Sequence, residues 1–119
     1  MEIIKKVDSG IDEMAEKVFM NSIKILGGLR KLIDYRNLTW LPSLAEAAYV
    51  IVLRNEGMKT YREIAEELGI TENTVRNIVN ADEKEVEMYI KGEIEKVDEH
   101  VAGGIAKLAY KKLKQNKDF

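Results

Sequence analysis

The stretch TYREIAEELGITENTVRNIVN, Thr60 to Asn80, reads as two short helices joined by a tight turn. Thr60 and Glu63 stand at the spacing of a capping box, in which hydroxyl and carboxylate each satisfy a free backbone donor at a helix start. Gly69 falls where the chain must turn, by a positive φ angle or by close backbone approach. Thr71 is placed to cap the second helix. Ala65 is small where the two helices would cross, and Ile64, Leu68, Ile70, Val75 and Ile78 occupy the positions that glue them together. A turn of about three to four residues completes the spacing of a helix-turn-helix.

Upstream, Ser43-Leu44-Ala45-Glu46 is a second capping box. The AEAAYVIVLR run around it is apolar nearly all round, which predicts a buried central helix. Its YVIVL stretch also has strand propensity, and the capping box decides for helix. Asn55-Glu56-Gly57 ends it, with Gly57 at the left-handed C-cap position. Further back, Ile11, Met14, Ala15, Val18, Ile25, Leu26, Leu29, Leu32 and Ile33 recur at helical steps, with Asp8 or Ser9 as the cap. Trp40 reads as a core or hinge residue. Downstream, Asp82 with Glu85 marks one more helix start. Its apolar stripe, Val86, Ile90, Ile94, Val97, Val101, Ile105 and Leu108, follows a repeat close to 11 residues.

A continuous helix to Gln115 would be about 50 Å long, whereas a compact chain of this size is about 35 Å across. It must project, break or pair, and a homodimer joined by the terminal helices is the expected solution. KILGGLRKL at 24–32 and HVAGGIAKL at 100–108 share both glycines, the lysine and the final leucine. Each pair is expected inside a helix that approaches another backbone closely. The fold class is therefore all-α, a tetrahelical helix-turn-helix core flanked by long N- and C-terminal helices. Its single domain, 1–119, comprises an N-terminal helix at 9–36, the core at 41–80 and a long C-terminal helix at 82–115.

Extended to LPSLAEAAYVIVLRNEGMKTYREIAEELGITENTVRNIV, the central stretch resembles the helix-turn-helix of sigma-factor region 4 and related regulators. That resemblance covers about a third of the chain and implies double-stranded DNA as the partner. More faintly, the motif followed by DEHVAGGIAKLAYKKL is similar to a family of regulatory domains of archaea and thermophiles found beside KaiC-like ATPases. It implies transcriptional control, or signalling through an ATPase partner.

In the second helix of the motif, Glu72, Asn73, Thr74, Arg76, Asn77 and Asn80 are expected to face outward. Asn pairs bidentately with adenine and Arg with guanine, so Asn73, Thr74, Arg76 and Asn77 are the candidate base readers. Arg54, Lys59 and Arg62 are the candidate phosphate contacts. The balance is unusual for such a surface. Residues 54–80 carry Arg54, Lys59, Arg62 and Arg76 against Glu56, Glu63, Glu66, Glu67 and Glu72, a poor phosphate neutraliser. The following segment, 81–100, is strongly acidic, and 101–119 is basic. The leading expectation is a DNA-binding transcriptional regulator. The alternative is an adaptor that uses the same fold without DNA, docking a partner such as a KaiC-like ATPase.

Other classes find little footing. The 119 residues include no Cys and one His, which removes disulfides, thiolate zinc sites and a Cys nucleophile. His100, beside Asp98 and Glu99, reads as part of a solvated helix face. There is no GxxxxGK, GxGxxG or GxSxG motif. No catalytic residue, metal site or cofactor is expected, and no enzyme. The longest apolar run, Ala47 to Leu53, falls far short of the roughly 20 residues of a membrane span. No signal-peptide core is visible at the N-terminus, so a cytoplasmic setting is expected. Glu and Lys make up nearly a quarter of the chain, a bias seen in thermophile proteins.

Overall fold

The computed structural model describes residues 2–34, 40–84, 86 and 99–115. Among these the chain is all-α: α1 Glu2–Ile25, α2 Leu29–Leu32, α3 Leu41–Asn55, α4 Tyr61–Leu68, α5 Glu72–Val79 and α6 Glu99–Gln115. The central helix is α3, on which α1, α4, α5 and α6 all pack. Leu44, Ala47, Ala48, Val50, Ile51, Val52 and Leu53 are buried along it. With neighbours on every side, YVIVL can bury its β-branched residues as a helix, and its strand propensity is overridden.

The start of α3 differs from expectation. It begins at Leu41 with Trp40 at the N-cap, and Pro42 occupies the first turn. Proline fits there because its missing N–H has no intrahelical partner to lose. The helix is already under way at Ser43, so the Ser43–Glu46 box does not open it. Trp40 is half-buried and packs against the core. At the other end, the left-handed residue is Met58, at φ 54°, and not Gly57. Gly57 is instead pressed onto the helix end, where an added Cβ would lie 2.8 Å from the Leu53 carbonyl oxygen.

The stretch 9–36 is divided. Ile3, Ile4 and Val7 extend the helical spacing of Ile11 and Met14, and α1 accordingly starts at Glu2, leaving Asp8 and Ser9 within it. It ends at Ile25, where Gly27 and Gly28 take φ values of 119° and 92°. The Gly28 N–H donates to the Ile23 carbonyl at 2.9 Å, closing the helix end as C-terminal glycines do. The first glycine pair thus breaks a helix, against expectation.

The second pair behaves as expected. Gly103 and Gly104 lie inside α6, and an added Cβ would lie 2.7 Å from the Ile78 carbonyl oxygen at the first and 2.9 Å from that of Asp82 at the second. Val101, Ala102, Ile105, Ala106 and Ala109 are buried beside them, against α1, α3 and α5. The described part of the apolar stripe, Val86, Val101, Ile105 and Leu108, is therefore covered by the chain itself. Ile90, Ile94 and Val97, and with them the continuity of a helix over 82–115, lie outside the described residues.

Candidate nucleic-acid interface

Local chemistry builds the two short helices. The Thr60 hydroxyl accepts from the Glu63 N–H at 3.1 Å, and the Glu63 carboxylate accepts from the Thr60 N–H at 2.9 Å. The N–H of Thr60 holds the Glu63 carboxyl below the usual carboxylate range. Gly69 closes α4 in the left-handed conformation at φ 72°, which glycine adopts without a Cβ penalty. Thr71 accepts from the Thr74 N–H at 3.0 Å and opens α5.

The core fixes how α5 is rotated. Val75 and Ile78 are buried, with exposures of 0% and 1%, while Glu72, Asn73, Arg76 and Asn80 are exposed. Thr74 and Asn77 are half-buried between the two faces. The Thr74 hydroxyl also accepts from that of Thr71 at 2.9 Å, so it belongs to the cap.

Residues 45–81, from α3 through the end of α5, match the family model for sigma-70, region 4. The segment is a helix-turn-helix of the sigma-factor region 4 kind. That is a DNA-binding family. No curated protein and no solved structure matches the chain.

Around this region 4-like motif the cations part company. Arg54, at the end of α3, donates from Nη1 to the Lys59 carbonyl at 2.9 Å, and its guanidinium carbon lies 4.6 Å from the centroid of the Tyr61 ring. Arg76 reaches the same ring from α5 at 5.8 Å, with its Nη1 3.5 Å from Asn73 Oδ1. Arg62 points elsewhere, 3.5 Å from Glu66 along α4. Both partners are largely exposed, so that pair is weak and yields readily to a competing anion. The structure therefore gathers Arg54, Arg76 and Tyr61, and leaves Arg62 apart. Tyr61 was not among the sequence candidates, and no local pattern marks it, because its cations lie 7 residues before and 15 after it.

The basic end of the chain supports the motif from behind. Lys107 Nζ donates to the Ala81 carbonyl at 2.8 Å, just past the end of α5. Lys111 pairs with Glu83 at 2.6 Å. Glu56, in the loop before α4, accepts from the Tyr110 hydroxyl and from Lys114 Nζ at 3.2 Å. The Tyr110 hydrogen bond, followed by Lys114, holds the Glu56 carboxyl below its ordinary value, while burial and that carboxylate push the Tyr110 hydroxyl up to about 12. Three of the five C-terminal lysines thus serve contacts within the chain. Among the described residues no group of three or more acidic or His side chains could hold a metal ion, and no helix is long and apolar enough to cross a membrane. The His100 side chain lies outside the described residues.

Proposed function

We propose that this protein is a DNA-binding transcriptional regulator in which α5 lies in the major groove. Asn73 and Arg76, aided by Asn77, read base edges. Arg54 contacts phosphate, and Lys59 and Arg62 supply weaker contacts. The observation that carries this reading is the two-sided build of α5: Val75 and Ile78 lock the inner face while Asn73, Arg76 and Asn80 are left outside. The acidic balance of the motif is eased at Glu56, whose charge is offset by Lys114 of α6 from outside the motif. A protein-docking adaptor, for example to a KaiC-like ATPase, is the second reading. It is favoured by the remaining acids, Glu67 and Glu72, and by an apolar groove of about 290 Å³ between α1 and α3, lined by Phe19, Met20 and Tyr49.

Selection from a random duplex pool at low salt tests the first reading. It is expected to enrich a defined site. Arg76→Ala is expected to cost about 1–3 kcal/mol and to relax preference at one position. Enrichment of nothing, with Arg76→Ala without effect, would sink the DNA reading in favour of the adaptor.

A further inference from the structure

Two arginines from different helices meet one aromatic ring on the exposed side of an otherwise acidic motif. We propose that Tyr61 is a positioning residue for DNA recognition, its ring holding Arg76 and Arg54 as one paired guanidinium site for the DNA backbone and the adjoining base edge. This rests on the DNA reading above and adds the device that makes it work in an acidic setting.

A carboxylate that holds an arginine offsets its charge as it does so, as Glu66 does in part with the exposed Arg62. An aromatic ring attracts a guanidinium through its quadrupole and leaves the planar fork of N–H donors for other partners. Arg54 spends one donor on the Lys59 carbonyl, and Arg76 makes only a 3.5 Å contact with Asn73. Both therefore keep their charge and most of their donors while losing side-chain freedom. Tyr61 is itself anchored, half-buried against the core at the first position of α4. Its cap, the Thr60–Glu63 box, fixes the helix end that carries the ring. The ring therefore ties the end of α3, the start of α4 and the middle of α5 into one surface.

The firm phosphate contact then shrinks to Arg54 in each chain, with Arg76 on the base edge, and the log–log salt slope of binding is expected near −1 per chain, at about 0.9 per phosphate neutralised. The deciding experiment measures binding of the selected duplex by fluorescence anisotropy. Tyr61→Phe, which keeps the ring, is expected to bind within about twofold of the parent. Pentafluorophenylalanine introduced at position 61 keeps the ring's shape and reverses its quadrupole. It is expected to weaken binding about fivefold, the size of one exposed cation–π contact, and to flatten the salt slope. In a background carrying Arg54→Ala and Arg76→Ala, the same replacement is expected to change nothing. Equal binding by the Phe and pentafluoro proteins, or an undiminished loss in the arginine-free background, would overturn the positioning role while leaving the DNA reading in place. A parent protein that binds no duplex would overturn both.

Discussion

KILGGLRKL at 24–32 and HVAGGIAKL at 100–108 are nearly the same phrase set in two different places. In the first, Gly27 and Gly28 take positive φ angles and end α1. In the second, Gly103 and Gly104 stay helical and let α6 press against the end of α5. Nothing lies within 4 Å of an added Cβ at Gly28, whereas Gly103 faces the Ile78 backbone. A helical glycine is tolerated where another backbone fills the space of its missing side chain. Gly27 and Gly28, which no other backbone approaches, instead take the positive φ angles that glycine adopts readily. The position of α5 therefore depends on a glycine 25 residues further along the chain, Gly103 against Ile78.

The largest expected effect falls on that contact. Gly103→Leu should destabilise by about 3 kcal/mol or more, because the obstacle is backbone and cannot rotate away. Thermal denaturation of the variant would show it, and a melt superimposed on the parent's would erase the contrast between the two pairs. Gly28→Ala should cost less, about 1–2 kcal/mol, through backbone strain alone at φ 92°. Urea titration should move the midpoint without changing the slope. Gly10 provides the reference case. It is helical with no atom within 4 Å of an added Cβ, and Gly10→Ala should stabilise by up to about 1 kcal/mol. A loss of stability there would mean that α1 has a close neighbour at that point.

The smallest effect concerns the other fastening of α6, at Glu56. Because Tyr110 and Lys114 lower its pKa from 4.5, the contact contributes stability fully above the ordinary carboxyl range. That contribution is lost as pH falls through the lowered value. Glu56→Gln should therefore lower stability at pH 7 by less than about 1 kcal/mol for so exposed a pair, read as a small drop in melting temperature. The gap from the parent should narrow as pH falls below the ordinary carboxyl range and through the lowered Glu56 value. A gap that widens under acid would reverse the assignment.

Much of the motif was legible because its signals are local. The Thr60–Glu63 box, the Thr71 cap and the left-handed Gly69 each depend on residues within about four positions, and all three form as read. The Ser43–Glu46 box met the same local rule and failed, because Leu41 and Pro42 had already started the helix. Gly57 lost the left-handed position to Met58 for a similar reason, its own place being taken up by contact with Leu53. Of the candidate site, Glu72, Asn73, Arg76 and Asn80 face outward as helical periodicity implies, whereas Thr74 and Asn77, expected outside with them, are half-buried. The division of the cations did not.

By itself, then, the sequence determined that this chain is helical, that Tyr61–Val79 holds two capped helices about a glycine turn, and which face of α5 turns inward. Hydrophobic spacing and capping act over one or two helical turns and can be read from neighbours. Packing between distant helices settles which glycine pair breaks, brings Arg54 and Arg76 to the Tyr61 ring, and spends Lys107 and Lys114 on Ala81 and Glu56. Those partners lie 26 and 58 residues away. A charge or a glycine carries no mark of which distant surface will reach it, because that is fixed when α6 folds back over α3 and α5.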